Sequence, residues 1–76
     1  MMLMRLEPGA ESAAGAHQGE KCAFLVQGAV VVTVGDVRYP MEQGDTISFN
    51  SGLPHFVANV GPDEAVIISA ITPPSF

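Results

Sequence analysis

Residues 22–39 read CAFLVQGAVVVTVGDVRY, and this stretch decides the fold. Cys22–Val26 and Ala29–Val34 are dense in Val, Leu and Phe, side chains suited to the pleated, half-buried surface of a sheet. Gln27-Gly28 separates the two runs. Gly35-Asp36 then stands between Val34 and Val37, a two-residue hairpin signal. Val37–Tyr39 is expected to stop at Pro40, which has no N–H to give to a ladder.

Outward from this hairpin the same grammar repeats. Met2–Glu7 is an apolar run closed by Pro8-Gly9, a turn pair. Glu11–Ala16 carries only small or polar side chains and reads as a loop. Thr46–Phe49 alternates polar and apolar residues. Phe56–Val60 and Ala65–Thr72 are divided by Gly61-Pro62-Asp63, and Pro73-Pro74 ends the last run. A helical period survives nowhere over a useful length. About seven short strands with a turn signal every 6 to 12 residues predict an all-β fold, a small antiparallel β-barrel or sandwich. Residues 1–76 are expected to form one domain. Gly28, Gly35, Gly44 and Gly52 read as turn glycines at positive φ.

Composition narrows the function classes. Hydrophobic residues make up 47% of the chain and charged ones 14%, which argues against disorder. So much apolar side chain in so short a chain predicts self-association, as a two-fold dimer formed by sheet packing or by exchange of the Met2–Glu7 strand. The formal charge is −5, and Arg5, Lys21 and Arg38 are the only fixed cations. No basic stripe exists for phosphates, so direct nucleic-acid binding by this domain is not expected. Cys22 is the only cysteine. It excludes an intrachain disulfide and suits a cytoplasmic location. The apolar start MMLM is too short for a membrane span.

Two glycine-framed segments resemble the paired motifs of the cupin superfamily. The first family motif runs G-x5-H-x-H-x3,4-E-x6-G, and Gly9, His17 and Gly28 fall on it. The second runs G-x5-P-x-G-x2-H-x3-N, and Gly44, Gly52, His55 and Asn59 fall on it. HQGEKCAFLVQG, MEQGDTISFNSGLPH and the ending ITPPSF are further similar to the C-terminal cupin sensor domain of bacterial helix-turn-helix transcription regulators. The resemblance implies a double-stranded β-helix, jelly-roll-like. It also implies a sensor function, with a DNA-binding half that this chain does not supply.

Departures from the motifs bear on chemistry. The resemblance places the four metal-ligand positions of the family at Gly15, His17, Lys21 and His55. Glycine has no ligand atom, and ammonium has no lone pair to offer. Two imidazoles leave a first-row ion poorly held, since firm sites use three or four protein ligands. No cofactor is therefore expected. Should a metal bind weakly, His17 and His55 with Glu20 are the candidates, and Glu11 is a second replacement carboxylate. Glu20 would need a bulge to turn inward, because neighbouring strand residues face opposite ways.

By strand parity Lys21, Ala23, Leu25 and Gln27 share a face, as do Ile47 and Phe49, and His55, Val57 and Asn59. His17, Lys21, His55 and Asn59 are the candidate ligand-binding residues of a mostly apolar interior. Each also has a structural reading: His17 as an exposed loop residue, Lys21 as a side chain snorkelling out of the barrel mouth. His55 could simply hydrogen-bond backbone, and Asn59 could be a structural hydrogen-bonding residue. Cys22, on the opposite face, reads as a packing residue.

The leading expectation is a small-molecule-binding module for a ligand with an apolar body and an anionic head. Two rivals stand beside it. One is a stand-alone small cupin enzyme, an oxygenase, isomerase or lyase with an altered metal site, or a metal-free enzyme using His55 as base and Lys21 as electrostatic stabiliser. The other is a structural dimerisation module with a filled barrel.

Overall fold

The computed structural model describes residues 2–12, 19–50 and 52–72. Seven strands follow in chain order: β1 (Met2–Leu6), β2 (Glu20–Gln27), β3 (Ala29–Val34), β4 (Val37–Glu42), β5 (Thr46–Asn50), β6 (His55–Asn59) and β7 (Ala65–Thr72). They form two sheets, one ordered β1-β7-β2-β5 and the other β4-β3-β6. Every pairing is antiparallel, and no helix occurs among the described residues. This is the all-β architecture that the turn spacing predicts.

The alternation of β3 shows why the two sheets face each other. Val30, Val32 and Val34 are buried, while Ala29, Val31 and Thr33 are only partly covered. β-branched side chains are stiff and pack well on a pleated surface. Against them lie Ala23 and Leu25 of β2, Val57 of β6, and Ala65 and Ile67 of β7. Leu25 (0% exposed) and Val30 (1%) are the largest fully enclosed side chains.

The chain changes sheets at Gln27-Gly28, and the reason is local. The register between β2 and β7 shifts between Leu25 and Gln27, a bulge that bends the strand. Gly28 follows at φ +97°, where a Cβ would stand 3.0 Å from the Ala65 Cα. No larger residue fits there without moving β7. At the hairpin, Val34 pairs with Val37 and Gly35 takes φ +59° while Asp36 does not go positive. Positive φ at the first central residue alone is the pattern of a type II′ turn.

Three expectations need correction. Pro40 does not end β4, which runs on to Glu42 with Pro40 opposite Val31. β4 is an edge strand, and alternate N–H groups of an edge point away from the neighbour, where a proline removes no ladder bond. Gly52 is not at positive φ, unlike Gly28, Gly35 and Gly44. Cys22 is exposed rather than packed, because its face of the four-stranded sheet points away from the second sheet.

Candidate functional site

Between the sheets lies a cavity whose wall is built by strand parity. Met4, Ala23, Val32, Met41, Val57 and Ile67 supply the apolar lining. Lys21, Phe49, His55 and Ser69 complete it. The space is small: about 20 Å³ of it admits the centre of a water molecule, roughly what one ordered water occupies.

Register explains the neighbours. Lys21 stands opposite Phe49 on β5 and Ile71 on β7, and Ala23 stands opposite Ser69. Ser69 is thus the diagonal neighbour of Lys21 on the same face, within reach of a long side chain. The Phe49 ring meets the His55 ring edge-on, with centroids 5.0 Å apart and planes at 63°, a favoured aromatic arrangement.

His55 opens β6 and is 5% exposed. Its Nδ1 lies 2.8 Å from the Leu53 carbonyl oxygen. A carbonyl only accepts, so Nδ1 carries a proton. Ser69 is 3% exposed and lines the cavity. Lys21 is half-buried on the inward face, and desolvation by burial lowers its pKa from the ordinary 10.5. Among the described residues the one ion pair joins Arg5 to Glu64, and no ion pair joins a described carboxylate to Lys21.

The candidate residues separate. Lys21 and His55 come together at the cavity. Asn59 does not line it, although it shares the buried face of β6 with His55 and Val57. Its Nδ2 donates to the carbonyl oxygens of Leu6 and Asp63, both at 2.9 Å, and its Oδ1 accepts from the Gly61 N–H at 2.9 Å. Both N–H donors of the amide are thereby spent on backbone carbonyls. His17, like Gly15, lies outside the described residues.

The carboxylates proposed as metal ligands do not turn inward. Glu20 through Phe24 pair with β5 without a shift, so Glu20 keeps the face opposite Lys21. Glu11 is exposed and bridges to Ala58, on the outer side of β6. Among the described residues no three of His, Cys, Asp and Glu gather as a metal site would require. An ammonium and one imidazole are an unsuitable donor set for a divalent ion.

Several residues of the site escaped the motif reading. Ser69 and Phe49 are placed by period two, and alternation along Ile67-Ser69-Ile71 was the signal for the first. Met2, Val37, Tyr39 and Ile71 also share the inward face, since they pair with Ser69, Val34, Val32 and Lys21. They remain 43–53% exposed. These inward-facing apolar side chains are left uncovered.

A two-sheet antiparallel barrel with an inward apolar cavity is the double-stranded β-helix architecture. The family profile described as "Cupin domain" matches residues 2–71, and the chain belongs to that family. Residues of this chain are 35% identical over 60 positions to the HTH-type transcriptional regulator PuuR of Escherichia coli, covering 79% of this chain and 32% of the regulator. The chain therefore spans about a third of the curated relatives it matches. Among solved structures, the TT1209 protein of Thermus thermophilus superposes with a TM-score of 0.82 at 30% identity, over 93% of this chain and 70% of that one. A predicted oxalate decarboxylase of Thermotoga maritima superposes with a TM-score of 0.80 at 25% identity, over 88% and 59%. Among the described residues no helix is long and apolar enough to cross a membrane.

Proposed function

We propose that this chain is a small-molecule-binding cupin domain that works as the sensor part of a transcription regulator in the cytoplasm. One observation carries the reading: an apolar cavity lined also by Lys21, His55 and Ser69, on inward faces that leave Met2, Val37, Tyr39 and Ile71 uncovered. An apolar body with a few convergent polar groups is the usual make-up of a ligand site. The enclosed space takes little more than a head group, and the ligand's body rests on the mouth. An anionic head restores the charge that burial disfavours on Lys21 and is held by it. The likeness to a helix-turn-helix regulator supports the view that occupancy is reported to a DNA-binding part.

Calorimetry with short alkyl carboxylates tests this. Lys21→Ala should weaken binding by about 1.5–3 kcal/mol, the range for a hydrogen bond to a charged group. Binding confined to neutral or cationic compounds, with Lys21→Ala unaffected, would refute the anionic reading. The small enclosed volume favours a second reading, a dimerisation module without a ligand. Failure of every small-molecule class to bind a well-folded sample would establish that one instead.

A further inference from the structure

We propose that Lys21 is a covalent capture site, whose amine condenses reversibly with the carbonyl group of a small aliphatic aldehyde entering the cavity. The proposal rests on the reading that this cavity takes a small molecule, but not on that molecule being an anion.

Four features of the site converge on amine chemistry. Lys21 is the only lysine of the chain, and parity and register put it on the inward wall rather than on a solvated face. No carboxylate among the described residues pairs with it, so nothing there locks it in the ammonium form. The apolar lining desolvates it, which favours the neutral, nucleophilic amine. Ser69, on the diagonally adjacent position of the same wall, lines the same cavity and brings a hydroxyl to it. A carbonyl held between them meets an amine on its carbon and a hydroxyl donor on its oxygen.

The chemistry balances without a co-reactant. The Nζ lone pair attacks the carbonyl carbon, the π pair moves to oxygen, and one of the two amine protons passes from nitrogen to that oxygen. The resulting carbinolamine loses the nitrogen-bound proton and, from carbon, the hydroxyl as water, leaving a C=N bond. One water leaves, nothing is oxidised or reduced, and hydrolysis reverses the step. The short cavity takes little more than the carbonyl group, so the aliphatic tail runs outward past Ile71, the residue opposite Lys21.

Reductive trapping reads this directly. The folded protein is incubated with propanal and cyanoborohydride at neutral pH, and the propyl adduct is located by peptide mapping. Lys21 in the folded chain should be trapped several-fold faster than in the same chain unfolded in urea, and faster than Nα-acetyl-lysine. Ser69→Ala should slow trapping several-fold while leaving Lys21 in place. Lys21→Arg, which keeps the cation, should abolish the ε-amine adduct. Trapping no faster in the folded than in the unfolded chain overturns the proposal. If that result accompanies Lys21-dependent binding of alkyl carboxylates, the capture chemistry falls and the ligand site stands; if no carboxylate binds either, both fall.

Discussion

Replacing Asn59 by alanine should destabilise the fold and leave the cavity chemistry intact. The side chain is 3% exposed and makes three hydrogen bonds that no backbone group replaces. Its Nδ2 ties the end of β1, at the Leu6 carbonyl, to the turn before β7, at the Asp63 carbonyl. Its Oδ1 holds the Gly61 N–H. Removing it strands one fully buried carbonyl and two partly buried groups that water reaches in part. At about 1–3 kcal/mol for a buried unmet group and less for the others, the loss should be about 2–4 kcal/mol. For a domain of this size that lowers Tm by about 10 °C or more. Asn59→Asp offers a sharper variant. At neutral pH it turns a carboxylate on two carbonyl oxygens and should be at least as damaging, with part of the loss recovered in acid, where the protonated carboxyl donates once. Thermal unfolding followed by circular dichroism measures both, and calorimetry below the transition measures binding. Unchanged stability in Asn59→Ala, together with lost ligand binding, would refute the assignment of Asn59 as a clasp and return it to the ligand site.

Two further outcomes follow from the site. The protein purified without a histidine tag should carry no stoichiometric transition metal by elemental analysis, because Lys21 stands inward and Glu20 outward; one equivalent of zinc, nickel, iron or manganese would contradict this. The lowered pKa of Lys21 means that the unfolded chain binds more protons than the folded one between the folded pKa and 10.5. Stability should therefore rise with pH through that alkaline window, and the rise should be absent from Lys21→Met, so that it remains in the difference between the native and variant stability curves. A difference curve flat across the window would show that Lys21 is solvated in the folded state.

The fold was legible because its signals are local. Val30, Val32 and Val34 alternate with half-covered neighbours, and Gly35-Asp36 turns the chain back on itself. What stayed hidden depends on neighbours distant in sequence. Pro40 is permitted by β4 lying at an edge, which only the strand order reveals. The inward turn of Lys21 and the outward turn of Glu20 followed from period two, yet the absence of a bulge between them depends on pairing with β5 and β7. Asn59 shows the limit of parity. It lies on the buried face, as expected, but its amide is consumed by Leu6, Gly61 and Asp63, and two of those contacts belong to loops and turns that the motif does not describe. Cys22 was misjudged for a related reason: parity gave its face, but not whether anything covers that face.

The uncovered apolar side chains fall into two sets, and they call for different occupants. Met2, Val37, Tyr39 and Ile71 share the inward face with residues that line the cavity, a setting suited to a ligand's body. Leu3 and Phe24 flank Ile68 in one cross-strand row on the outer face of the four-stranded sheet, and Leu3, Phe24 and Val26 are all exposed. A pleated apolar row of this kind suits packing against a second copy of the same row, since a two-fold axis brings each patch against itself. We therefore expect a homodimer through the outer face, measured as about twice the 7.9 kDa chain mass by light scattering at micromolar concentration. Phe24→Glu sets two carboxylates against each other across the axis and should give monomer while leaving carboxylate binding within a few-fold of native. Tyr39→Ser should do the reverse, weakening ligand binding and leaving the dimer intact. A monomeric native chain would remove the outer-face dimer altogether. A dimer lost in Tyr39→Ser and kept in Phe24→Glu would move the interface to the cavity mouth, where a second copy and a ligand would compete for the same side chains.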